Sequence, residues 1–190
     1  MSFLNFLQTP APRRSFLTAS GLLLSGSAIA LLAGKDALAA DEKGGNADND
    51  ARILNTALGA ELEAIAAYQL GAESGLLEKR VLKLAVTFQG QHKQHAELLA
   101  ATVTKLGGKP TLKKEKYDFS GQKLKTQADV LRFAASLEQG AVSAYLGAVP
   151  LFTNRDLSKA AASILGDEAM HWAVLRQALG EEPVHLAFVQ

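Results

Sequence analysis

Glu61, six residues and Tyr68 return later in the chain as Glu138, six residues and Tyr145. In the same way His92-Lys93-Gln94-His95 is answered by Glu168-Ala169-Met170-His171. The first pair of landmarks repeats at an offset of 77 and the second at 76. A near-constant offset across separated landmarks marks two copies of one supersecondary unit. Within each copy the informative residues lie three, four or seven positions apart, so they share one face of a helix. The chain is therefore expected to build two helical hairpins, each carrying polar side chains on the face that should be apolar.

Four helices are expected, at about 50–73, 77–106, 127–149 and 155–179. Asp50 and either Thr126 or Asp129 have the chemistry of N-caps, whereas Gly107-Gly108 before Pro110, Pro150, and Gly180 before Pro183 act as stops. Abundant alanine and leucine and only 6% aromatic residues favour helix packed on helix. A few residues around Ser74-Gly75 join the first two helices, and a few around 152–154 join the last two, so each pair is an antiparallel hairpin. Between the pairs lie about twenty residues, Gly107 to Thr126, enough to run the length of a bundle and start the third helix parallel to the second. An all-α four-helix bundle of two hairpins joined by a long crossover follows.

The apolar stripe of helix 1 is Leu54, Ala57, Glu61, Ala64, Tyr68 and Gly71, which puts Glu61 inside the buried face and Glu63 off it. Helix 3 repeats it as Leu131, Ala134, Glu138, Ala141, Tyr145 and Ala148. His92 and His95 lie on the stripe of helix 2, and Glu168 and His171 on that of helix 4. Counted from the turns at about 1.5 Å per residue, all six reach similar depth. Each His-x-x-His or Glu-x-x-His pair spans one turn, the spacing two ligands need to reach one metal centre. An ionised carboxylate buried without a partner costs several kcal/mol, and three together also repel one another. A divalent cation would relieve both problems. Plainer readings stand beside this one: hydrogen-bonded core histidines for His92 and His95, a solvated glutamate and a core histidine for Glu168 and His171, and protonated acids bonded to tyrosine for Glu61 and Glu138. Gly90 and Gly166, also at offset 76, are expected to mark close helix approach or space beside a centre.

The sequence holds no cysteine, which excludes disulfides, thiolate ligands and a lipoprotein anchor, so any metal must be held by carboxylate and imidazole. Near the start, Arg13-Arg14-Ser15-Phe16-Leu17 precedes an apolar run from Gly21 to Gly34 and small residues at Ala37-Leu38-Ala39. That layout reads as an export signal over 1–39, its apolar run short of the about 20 residues of a membrane span. It resembles a twin-arginine signal, with Pro12 where that motif favours Ser or Thr. The resemblance implies export in the folded state to the periplasm or beyond, with membrane contact only through the signal. Residues 40–49 read as a polar tether, 50–180 as the bundle and 181–190 as a tail containing His185. Removing 1–39 changes the net charge from +1 to about −1, so no nucleic-acid partner is expected despite the lysines of the crossover.

Residues 50–180 resemble the ferritin-like superfamily of four-helix di-metal carboxylate proteins, which takes one Glu from each of two helices and Glu-x-x-His from each of the other two. The resemblance implies a metal set of Glu61, His92, His95, Glu138, Glu168 and His171, with Tyr68 and Tyr145 as outer tyrosines. It further implies a divalent metal, iron foremost in a di-iron or mononuclear centre, with manganese or zinc as substitutes. Iron handling, oxidative-stress protection, an oxidase or peroxide-consuming activity and homo-oligomers belong to the same expectation. His92 departs from the pattern, since the family carries a bridging glutamate there. The competing expectation is a metal-free structural or interaction module of the cell envelope with a degenerate site.

Overall fold

The computed structural model describes residues 46–189; the expected signal peptide and the tether up to residue 45 lie outside them. The described residues form four helices and no strand: α1 (Asn46–Glu73), α2 (Lys79–Lys105), α3 (Gln127–Ala148) and α4 (Arg155–Ala178), with a short 3-10 turn at Val149–Leu151 containing Pro150. No described helix is long and apolar enough to cross a membrane.

Helix ends follow local chemistry. Thr126 and Asp129 form a reciprocal capping box at the start of α3, and the Asn154 side chain accepts from the Asp156 amide at the start of α4. α2 and α4 end on Gly107 and Gly180, whose φ of 84° and 77° is the left-handed conformation that β-carbons disfavour. There Gly108 N–H donates to Val103 and Glu181 N–H to Arg176, completing two Schellman closures.

The start of α1 corrects two expectations. The helix begins at Asn46, so residues 46–49 are helical and not tether, and Asp50 is not its cap. Asp50 is instead 2% exposed, and its two carboxylate oxygens accept the amides of Thr153 (2.9 Å) and Asn154 (3.0 Å). It caps the entry to α4 from a different helix, a long-range role that local spacing does not reveal.

Packing is antiparallel within each hairpin, and the hairpins meet through α1 against α3 and α2 against α4. Tyr145 reaches Glu61 while Tyr68 reaches Glu138, a pairing in which one number rises as the other falls, so α1 and α3 are antiparallel. It follows that α3 runs parallel to α2, and the crossover must return the length of the bundle. It does so from an anchor on α1, where Asn55 donates to Lys109 O and accepts from Thr111 N. At its far end Gln127 Oε1 accepts from Glu78 N at the start of α2. Along the way Tyr117 stacks on Phe119, which packs on Phe133 of α3.

The core is layered. Leu54, Leu58, Ala96, Leu99, Val103, Tyr145, Ala161 and Ile164 form one apolar layer drawn from all four helices. Tyr68, Phe88, Leu131, Ala135, Trp172 and Leu175 form another, again from all four. Between these layers lies the polar one.

Candidate metal centre

All six residues that the repeat singled out converge on the middle layer. Glu61, His92, Glu138, Glu168 and His171 are each at most 3% exposed, and the His95 side chain is 13% exposed. Helix periodicity places them there: one residue from each of α1 and α3, and an i, i+3 pair from each of α2 and α4.

The tyrosines are swapped between hairpins. Tyr145 of the second hairpin donates to Glu61 Oε1 of the first at 2.6 Å, and Tyr68 of the first donates to Glu138 Oε1 of the second. Each carboxylate is thus fixed by the other copy's tyrosine. Burial, then the charge of Glu138 or Glu61, pushes both phenols well above their usual range, so both remain protonated donors.

His92 occupies the centre of the cluster. Its Nδ1 lies 2.8 Å from Glu61 Oε2 and 3.5 Å from Glu168 Oε1, while its Nε2 lies 3.2 Å from Glu138 Oε1. Burial would lower its pKa, but the carboxylates of Glu138 and Glu61 outweigh that and hold it up at about 11. His95 and His171 are raised to about 9, again against burial, His95 by Glu168 and Glu61 and His171 by Glu138 and Glu168. Burial would raise Glu138, yet its contacts with Glu168, His171 and His92 hold its carboxyl well below the usual range. With protons on the histidines, the cluster is an ion-pair network.

The network leaves atoms unused. His95 Nδ1, His171 Nδ1, Glu138 Oε2 and both oxygens of Glu168 are buried without a hydrogen-bond partner among the described residues. They face one another: His95 Nδ1 is 3.1 Å from Glu168 Oε1, and His171 Nδ1 is 3.3 Å from Glu168 Oε2 and 3.6 Å from Glu138 Oε2, all outside hydrogen-bond geometry. Buried polar atoms are ordinarily satisfied, and five orphans aimed at one another are the donor set a cation requires. Two groupings have ligand atoms mutually within 4.8 Å: Glu61, His92, His95 and Glu168, and His92, Glu138, Glu168 and His171. Nitrogen and carboxylate oxygen in these numbers suit zinc, manganese or iron.

Two further side chains, off the inward stripes, touch the imidazoles. Asp167 Oδ2 lies 3.3 Å from His95 Nε2 and 3.4 Å from His171 Nε2, and Gln91 Oε1 accepts from His171 Nε2 at 2.9 Å. Both imidazoles therefore turn Nε2 outward to an acceptor and Nδ1 inward, the orientation that raises ligand basicity at metal sites. Gln91 and Asp167 are themselves at offset 76, each directly before an inward residue, and that was the available signal.

One expectation fails at the paired glycines. Gly90 and Gly166 are not points of close helix approach: a β-carbon at either would meet nothing within 4 Å, and Gly166 is exposed. Glu63 is half-buried and lines the crevice between α1 and α3 that Glu61, His92 and Glu138 also line. The tail packs on the bundle, where His185 meets the Trp172 ring edge-on at 5.4 Å between centroids and Val189 covers the second apolar layer.

Comparison with known proteins agrees with this architecture. A family model described as a ferritin-like domain matches residues 49–181. Among solved structures, a conserved hypothetical protein from Mycobacterium tuberculosis is similar, with a TM-score of 0.66 and 22% identity over 76% of this chain and 99% of that one. At that identity the likeness speaks for the fold alone. No curated protein is significantly similar to the chain.

Proposed function

Because this chain belongs to the ferritin-like domain family, we propose that it is an exported metal-binding protein that holds a divalent ion, iron foremost, at Glu61, His92, His95, Glu138, Glu168 and His171. The observation that carries this is the set of five unsatisfied buried atoms converging between the four helices. Bound iron would supply reactivity toward O₂ or peroxide, the chemistry of iron handling and oxidative-stress protection. The chain's own residues would do the rest. Tyr68 and Tyr145 hold the carboxylates of Glu138 and Glu61 in place, and Asp167 and Gln91 aim the imidazoles. Export through the twin-arginine route is part of the proposal, supported by Arg13-Arg14 and the apolar run behind them. That route carries folded proteins and so suits one that acquires its metal first.

The test is metal analysis of the protein after folding in the cytoplasm. At least one equivalent of a transition metal is expected, lost on Glu168→Ala. Less than one equivalent of any such metal, unaffected by that substitution, ends the reading. An Fe(II) oxidation and peroxide-consumption assay then separates catalyst from binder.

One observation favours a second reading. His92, carrying a proton on each nitrogen, satisfies Glu61 and Glu138 without any metal, so the same bundle can serve as a metal-free structural module of the envelope.

A further inference from the structure

The two copies of the repeat disagree at His92 and Glu168, and the geometry shows on which side the disagreement falls. Glu168 offers one oxygen to each half of the cluster, Oε1 toward His95 and Oε2 toward His171. His92 is not divided in this way. Its Nδ1 faces two carboxylates of the first half, Glu61 and Glu168, whereas its Nε2 faces only Glu138 Oε1, an atom that already accepts the Tyr68 hydroxyl. A neutral imidazole has one lone pair and one N–H. His95 and His171 both use Nε2–H toward an outer acceptor and leave Nδ1 for the centre. His92 matches them if Nε2–H donates to Glu138 and Nδ1 is the ligand.

We infer that the centre is two unequal cation sites: a principal one of Glu61, His92, His95 and Glu168, and a weaker one of Glu138, His171 and the second oxygen of Glu168. The inference rests on the metal-binding reading above and adds the order of filling. Ligands about 2.0–2.2 Å from a four-coordinate ion stand about 3.3–3.6 Å apart. Contacts of 2.8, 3.1, 3.5 and 3.6 Å in the principal site and of 3.3 and 3.6 Å in the weaker one both lie near that spacing, so the number and charge of the ligands set the order. Its two carboxylates and two neutral imidazoles balance a divalent charge. The weaker site has three protein ligands, and Glu138 must serve it while its other oxygen holds Tyr68 and His92.

The experiment is titration of Co(II) into the purified full chain freed of metal by chelation, followed by calorimetry and by the visible spectrum of the bound ion. Two steps are expected, the first at least about tenfold tighter. His95→Ala should weaken the first step by more than the about 10- to 100-fold that loss of an outer partner causes. His171→Ala, its counterpart in the other copy, should leave the first step intact and remove the second. Equal weakening of the first step by both substitutions, or the reverse order, overturns the inference while leaving metal binding standing. No uptake by the unsubstituted chain overturns the metal reading with it. Circular dichroism checks that both variants fold; if one does not, the pair His95→Gln and His171→Gln takes its place.

Discussion

At the scale of single residues, protons and a bound cation would compete for the same atoms of the cluster. Without a metal, the surrounding carboxylates push His92 up to about 11 and His95 and His171 up to about 9, all above the usual 6.5 of histidine. A raised folded-state pKa contributes stability that is complete below the unfolded value and is lost as pH climbs through the folded one. Glu138 has the opposite sign, contributing above the ordinary carboxylate range and losing that contribution on acidification. The metal-free protein should therefore be most stable near pH 5–6.5 and lose melting temperature steadily toward pH 9–11. Thermal melts in chelator at pH 6 and pH 10 check this, and a higher melting point at pH 10 would contradict it.

At the scale of elements, each helix is specified twice, by its ends and by its face. The Thr126–Asp129 box and the left-handed Gly107 and Gly180 fix ends locally, so those boundaries are readable from the sequence. Asp50 is the exception. Lying in the second turn of α1, it satisfies two amides that lead into α4 and ties the two hairpins together. Hydrogen bonds to a charged group are worth about 1.5–3 kcal/mol each, and here the loss would remove two of them from the exposed turn at Thr153 and Asn154. Asp50→Ala should lower the unfolding free energy by about 2–4 kcal/mol in urea denaturation. A change below about 0.5 kcal/mol would show that the turn finds other partners.

At the scale of the whole molecule, two apolar layers clamp a polar one, and neither hairpin can complete that layer alone. Glu61 needs Tyr145, Glu138 needs Tyr68, His171 needs Gln91, and His95 faces Asp167. A cation bound there links both hairpins and binds the folded state only. At a free concentration 100 times its dissociation constant it adds about 2.7 kcal/mol, enough to raise the melting temperature by about 5–10 °C. Differential scanning calorimetry with and without Mn(II) or Zn(II), then with chelator, measures this. An unchanged melting point at saturating metal would argue for the structural module.

The sequence by itself determined the number of helices, their hairpin pairing, the single long crossover and the six inward polar residues, because periodicity and connection length are local properties of the chain. It also placed Tyr68 and Tyr145 on the buried face. Only the tertiary structure decided that each tyrosine serves the opposite hairpin, that Asp167 and Gln91 orient the histidines, that Asp50 caps a distant turn, and that Gly90 and Gly166 approach nothing. These are relations between helices, set by the antiparallel register of α1 on α3 and of α2 on α4, and register across a bundle leaves no periodic trace along one strand of sequence. The same register puts His92 2.8 Å from Glu61 and 3.2 Å from Glu138, so the one mismatched letter of the repeat sits nearer the half that contains Glu61.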